Sequence, residues 1–431
     1  MSDTPDVVGF VRHKPIPPSP PPIAQAGVIR WVRENLFSNV TNSVLTILSI
    51  YFVIKLLLAS APWMWNGVWT TSSLRECREV LQGTSGACWS VLTERWNQML
   101  FGFQYPVESY WRPTLSFVFL LVSIAPVLFQ KLPRKLMIFS AIYPFLAFWL
   151  IWGGTILTPV VVVLALIGAY FAFIKMERKI GFATGMVSGV AAAAIVLYLG
   201  GYVTQALSGF IALEPVASRN MGGFMLNLIL GTVCVSLSIP LGIVLALGRQ
   251  SNMPIIKGIC VVFIEFIRGV PLITLLFVAN VVLSYFFPPG TNLDLILRVI
   301  IMITLFSSAY IAEVIRGGLA ALPRGQYEAA DSLGLDYPQA MRLIILPQAL
   351  KISIPGIVNV AVGLFKDTTL VSVISMFDLV GMIRGPISSS TAWTGIYWEL
   401  YLFAIILFFV VCYCISQYSQ WLERQLRTDH N

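Results

Sequence analysis

Runs of about 20 apolar residues, each long enough to cross the hydrocarbon core of a bilayer as a helix, recur along this chain near 41–60, 113–130, 136–153, 155–174, 182–203, 222–247, 256–285, 295–316, 353–376 and 397–419. Inside hydrocarbon every backbone N–H and C=O must be satisfied within the segment itself, which for runs of this length leaves the α-helix. The expected fold is therefore an all-α polytopic membrane protein with about ten transmembrane helices. Composition agrees: with 57% hydrophobic and 11% charged residues, a chain of 431 residues has too little charge to cover a soluble fold. Only Gly153 and Gly154 separate the runs 136–153 and 155–174, so a tight hairpin is expected there.

Charge sets the orientation, because Lys and Arg accumulate in short cytoplasmic connections. Lys131, Arg134 and Lys135, then Lys175, Arg178 and Lys179, then Arg249 and Lys257, and finally Arg424 and Arg427 all fall on one side of a ten-span topology. Arg12, Lys14, Arg30 and Arg33 place the N-terminus there too, so both termini are expected in the cytoplasm and the formal net charge of +8 is mostly topology. It does not indicate a nucleic-acid partner.

Three regions follow: a cytoplasmic Pro-rich tail over 1–40, extra helices over 41–203, and a core over 204–425. The run Pro15-Ile16-Pro17-Pro18-Ser19-Pro20-Pro21-Pro22 suits an extended tail and is too polar for a cleaved signal peptide. The loop 61–112 is expected outside. Half of the 12 Trp lie in it (Trp63, Trp65, Trp69, Trp89, Trp96, Trp111), which suits rings at a bilayer interface. It also holds Cys77 and Cys88, which an oxidising compartment would allow to form a disulfide, or which stay as two free thiols.

Between the last two pairs of spans lies a polar segment, 326–346. Gln326 to Leu333 are mostly helix formers, Gly334 suits the left-handed residue that ends a helix, and Asp336 with Gln339 forms a capping box for the next one. Two short helices at an angle are expected. Ala329 and Ala330 leave bare backbone that can press into a partner's groove, with Glu328 and Asp331 available to basic groups there; the alternative is an amphipathic helix lying on lipid.

Ionisable groups within spans point to function. Lys366 and Asp367, flanked by Thr368 and Thr369, interrupt an apolar run and offer one cation and one anion, the two contacts that a zwitterionic amino acid needs. Adjacent residues diverge by about 100° on a helix, so a gating or packing ion pair with Glu265 or Arg268 is the competing reading. Glu265 and Arg268 lie three apart and can instead satisfy each other, as can Glu313 and Arg316. Lys55 is expected to snorkel from its span.

Several classes are excluded. No Gly-x-x-x-x-Gly-Lys-Ser/Thr loop is present, so ATP hydrolysis is not expected on this chain. The only histidines, His13 and His430, lie in the tails, which argues against an intramembrane hydrolase, and Cys412 and Cys414 have no carboxylate or His nearby to complete a metal site. The two halves show no internal repeat.

The order Glu328-Ala329-Ala330, Gly334, Ile345-Leu346-Pro347 resembles the EAA loop of the membrane subunits of bacterial ABC importers. Phe266 to Leu272 (FIRGVPL), Glu313 to Gly318 (EVIRGG) and Lys366 to Leu370 (KDTTL) resemble the polar amino-acid branch, and the long N-terminal extension resembles the M-type permeases of general L-amino-acid systems. The resemblance implies a type I ABC importer transmembrane fold, a bacterial inner-membrane location and uptake of L-amino acids with broad specificity. It implies a transport subunit rather than an enzyme, with no cofactor of its own, ATP and Mg being held by a partner. The implied partners are a second, shorter permease in a heterodimer, a cytoplasmic ABC ATPase dimer and a periplasmic amino-acid-binding protein. Glu328, Ala329, Ala330, Asp331 and Gly334 would couple to the ATPase, and Lys366, Asp367, Thr368, Thr369, Glu265 and Arg268 would line the substrate pathway. The rival class is an ion-coupled secondary transporter using Asp367, disfavoured because no broken helices or inverted repeats are evident; a structural scaffold is a third reading.

Overall fold

The computed structural model describes residues 27–129, 132–286 and 293–427; the proline run, His13, Lys131 and His430 lie outside them. The described residues divide into two units, one up to 68 together with 78–88, the other 69–77 together with those from 89 onward.

In the first unit a short helix α1 (Gly27–Asn35) precedes α2 (Val40–Trp65). Asn39 stands in extended conformation and accepts the Asn42 N–H at 2.8 Å, a side-chain cap for the first turn of α2. The chain then folds back on the end of α2, with Ala87 N donating to Trp63 O and Val68 N to Ala87 O, both at 2.8 Å.

The second unit takes in the start of α3 (Leu74–Leu81), then α4 (Ser90–Phe101), α5 (Trp111–Leu128), α6 (Leu136–Trp152), α7 (Leu157–Ile180), α8 (Phe182–Ala206) and α9 (Gly223–Gln250). It continues through α10 (Pro254–Gly269), α11 (Leu272–Phe277), α12 (Leu295–Ala320), α13 (Arg324–Ser332), α14 (Tyr337–Ala340), α15 (Leu346–Asp367), α16 (Leu379–Met382) and α17 (Trp398–Arg427). Across the described residues eight helices are long and apolar enough to cross a membrane, or nine if a bent pair counts as one span, and the apolar α6 is shorter. That agrees with about ten helices. The Gly153-Gly154 hairpin forms: both glycines have positive φ, and a two-residue strand β1 (Gly154–Thr155) pairs antiparallel with β2 (Ala212–Leu213). Without a hydrophobic driving force in lipid, α7 and α8 associate through close approach. A Cβ at Gly200 would lie 2.2 Å from Val161, and one at Gly189 3.1 Å from the Ala169 carbonyl.

α9 and α12 run parallel: Cys234 reaches the Ile300 carbonyl, Gly242 abuts Ile311, and Arg249 reaches Glu313. The chain between them must therefore return across the bundle, and α10 with α11 makes that crossing. They do not form the single span expected over 256–285. The pair bends by 102°, because Pro271 cannot continue a helix and pushes Val270 into extended conformation (φ −107°, ψ 132°). α15 is antiparallel to α12, with Gly318 against Ala349 and Gly356 against Val314. The segment 324–346 lies at one end of the bundle, the near end. The C-terminal halves of α5 and α17 meet there, Tyr418 OH donating to Leu128 O at 2.6 Å. Among the described residues the two larger buried clusters are a near one around Ala246, Ile264, Ile315, Met341 and Ile345, and a far one around Leu226, Leu230, Val299, Leu364 and Ile374. Part of the sequence-expected exported loop is built into the far one, through Phe101 and Tyr105.

Candidate functional site: a coupling segment and a far-end polar cluster

At the near end, α13 stops as expected. Gly334 has φ +70°, its N–H donates to Asp331 O at 2.9 Å, and Leu335 N donates to Ala330 O at 3.3 Å. This pair of bonds is a Schellman motif. Asp336 Oδ1 accepts from Gln339 N at 2.9 Å and starts the next element. That element is not a second free short helix. α14 passes through a π-turn, Met341–Ile345, directly into α15, so 337–374 is one continuous rod of 38 residues. The cause is Pro347, which has no N–H and would clash in a regular turn; the π-turn absorbs it, Leu346 N bonding five residues back to Met341 O.

The two alanines divide, as a 100° step requires. Ala330 is fully buried against the chain's own core with Tyr327 beside it, while Glu328, Ala329 and Asp331 face outward. With Ala330 buried and Tyr327 half-buried, α13 itself turns a mostly polar face outward. Gln348 Nε2 donates to Gln326 Oε1 at 2.9 Å and ties α13 to the base of α15. An open pocket of about 540 Å³ lies beside it, lined by Leu247, Tyr337, Met341, Arg342, Leu346 and Leu350 among others.

Above this segment sits an ion cluster. Arg249 at the end of α9 bonds Glu265 Oε1 at 2.8 Å and approaches Glu313 Oε2 at 3.3 Å, too poorly aligned for a hydrogen bond. Arg316 bonds Glu313 at 2.6 Å, as its spacing predicts. Glu265 and Arg268 do not satisfy each other: Arg249 takes Glu265, and the Arg268 guanidinium lies over the Tyr310 ring at 5.5 Å.

Lys366 and Asp367 are elsewhere. They form the last turn of α15 at the far end, Lys366 exposed and Asp367 half-buried. Phe365 packs against Gly231, 18 residues before Arg249, or about 27 Å along α9. An ion pair with Glu265 or Arg268 is therefore out of reach, and the six sequence-selected pathway residues do not form one site. Thr368 is fully buried with its hydroxyl already engaged, and Thr369 donates to Lys366 O at 2.8 Å. Cys77 and Cys88 are both buried, and neither is a free thiol.

A family profile described as binding-protein-dependent transport system inner membrane component matches residues 238–428. Over its whole length the chain is 52% identical to the glutamate/glutamine/aspartate/asparagine transport system permease protein BztC of Rhodobacter capsulatus, with 100% of each covered. The chain belongs to the amino-acid ABC transporter permeases. It is also 38% identical to the inner membrane amino-acid ABC transporter permease protein YhdY of Escherichia coli, over 96% of each chain. A probable glutamine ABC transporter permease protein of Bacillus subtilis, GlnP, is 32% identical across 47% of this chain and 90% of its own length. As a member of this family the chain is an integral membrane transport subunit and not an enzyme.

The permease has a further polar cluster that sequence reading passed over. Asn227, fully buried in α9, donates to Thr368 Oγ1 at 2.9 Å and to Asp378 Oδ2 at 3.1 Å, and its Oδ1 accepts Leu379 N at 3.1 Å. Asp378, also fully buried, caps α16 through Gly381 N at 2.9 Å. Burial pushes its carboxyl up to about 6, against the lowering pull of these N–H groups. The one signal in the sequence was a lone amide within an apolar run.

Proposed function

We propose that this permease is the membrane-spanning subunit of an ATP-driven importer of L-amino acids, with acidic amino acids and their amides, the cargo in the name of BztC, as its central substrates within a broader range. It works beside a second, shorter permease. A cytoplasmic ATPase pair holding ATP and Mg docks at the near end through Glu328, Ala329 and Asp331, and a periplasmic binding protein delivers substrate at the far end. Both termini lie in the cytoplasm, 41–203 forms an accessory helical region, 204–425 is the transport core, and Cys77 is bridged to Cys88 outside the membrane.

The observation that carries this reading is the shape of the near end. α13 is capped at Gly334, clamped to α15 by Gln326–Gln348, and covered on its apolar side, so its exposed polar face is presented on a rigid mount. A rigid mount clamped to a 38-residue rod transmits a push into the bundle. The broken α10–α11 crossing removes one sequence-level objection to an ion-coupled transporter, but membership of the ABC permeases favours ATP. Uptake into vesicles carrying the native complex decides it: inhibition by vanadate is expected, and uptake driven by an ion gradient without ATP would overturn the reading. Copurification with mass spectrometry identifies the partners.

A further inference from the structure

The far end contains a joint whose side-chain hydrogen bonds between α9 and the chain after α15 centre on one amide. Asn227 uses both N–H donors and its carbonyl, and its partners lie at the two ends of one segment: Thr368 at the start, Asp378 and Leu379 at the finish. The segment between them is a strap. It begins as a 3-10 helix of seven residues, Thr368–Ile374, longer than the three or four that such poorly aligned bonds usually sustain. It then turns through Ser375, a non-glycine residue at φ +65°. A second fastening lies beside the first, where Gly223 N donates to Phe377 O at 2.7 Å. The strap continues directly from Lys366 and Asp367. Rewinding its seven residues from about 2.0 to about 1.5 Å rise per residue would draw it in by roughly 3.5 Å and extend α15.

We propose that Asn227 is the latch of this strap and a positioning residue for transport: it holds 368–378 in the longer, 3-10 state, fixing the Lys366–Asp367 corner, and releases when the core changes state. This rests on the importer reading. Asn227 touches no substrate here, since it is fully buried and fully bonded.

The test uses the complex purified from native membranes with its ATPase and loaded binding protein. Asn227→Ala removes the latch; Thr368→Val removes one hydroxyl at nearly constant shape, so it keeps the test open if the alanine variant does not assemble; Thr368→Ser restores the hydroxyl. Two quantities are read: hydrogen exchange of the amides of 369–379, and amino acid taken up per ATP hydrolysed. The expected result is exchange faster by about tenfold or more in this segment alone, together with a several-fold fall in uptake per ATP, for Asn227→Ala and Thr368→Val, with Thr368→Ser returning both toward the parent. A purely structural bond would lower the yield of complex without changing uptake per ATP. Unchanged exchange overturns the latch, and faster exchange at constant uptake per ATP overturns its positioning role. If the parent complex shows no ATP-dependent uptake, the importer reading fails, and the exchange measurement still decides the latch.

Discussion

Gly334 offers a substitution whose cost can be assigned to one cause. Its φ of +70° closes the Schellman motif of α13, and a Cβ placed there meets nothing within 4 Å. A side chain is therefore opposed by backbone conformation alone, not by a clash. An L-residue in the left-handed region costs about 1–2 kcal/mol, with Asn at the low end and a β-branched residue at the high end or beyond. That shifts the balance between capped and uncapped segment by roughly 5–30-fold, and an uncapped α13 no longer aims Glu328 and Asp331 in a fixed direction. The series Gly, Asn, Ala, Val at position 334 should lower uptake in that order, with Gly334→Val abolishing it although the complex inserts normally. ATPase activity with and without loaded binding protein, measured beside uptake in vesicles, reads the effect. Full substrate-stimulated hydrolysis and uptake in Gly334→Val would show that the segment only connects two helices, and an Asn variant as impaired as Val would show that φ is not the cause.

Four further outcomes are expected. Glu328→Lys reverses a charge on the outward face of α13 and should lose the ATPase or its stimulation; an intact, fully stimulated complex contradicts this. Lys366→Met and Asp367→Asn should each impair uptake several-fold with assembly retained, and normal transport by both would remove the pair from the pathway. A bridge between Cys77 and Cys88 closes a short loop worth roughly 2–4 kcal/mol, so mass labelling of the denatured, unreduced protein should find neither thiol, and recovery of both as free thiols refutes it. Asp378 has its carboxyl raised to about 6 from the ordinary 3.8, so its contribution to stability is full below about pH 4 and lost as pH rises through about 6. Thermal stability of the native complex should therefore fall more between pH 5 and 7 than that of the Asp378→Asn complex; equal slopes refute it.

The spans were legible because hydropathy and backbone satisfaction in lipid act within one segment, and so were Gly334 and the Asp336 cap, which depend on neighbours three or four residues away. The break at Val270 was not, although Pro271 was in view: apolar residues continue on both sides, and hydropathy carries no information about direction. The π-turn before Pro347 escaped for the same reason. Within the candidate site, charge drew attention to Glu265, Arg268, Lys366 and Asp367 as one group, whereas the antiparallel course of α15 sends them to opposite ends. Asn227 and Asp378, 151 residues apart, are joined only by tertiary packing, and neither has a local pattern to announce it.

α9 connects the two ends. Its 28 residues span about 42 Å, with Asn227 near the start and Arg249 in the last turn. Arg249 holds Glu265 of α10 and Glu313 of α12. Pairs this accessible, with the four side chains 22–54% exposed, contribute little to stability individually. The Arg249 guanidinium nevertheless ties α9, α10 and α12 together just above the 326–346 segment. Coupling between distant sites needs an element with two discrete arrangements that both sites bias. Under the proposed docking, a push on α13 would reach α15 through Gln326–Gln348 and the continuous rod, which ends in the seven-residue 3-10 helix of the strap that Asn227 fastens to α9. In the latch proposal the strap would be that discrete element, its observed 3-10 arrangement exchanging with an α arrangement, and the rod would be the physical path from the outward face of α13 to the Lys366–Asp367 corner.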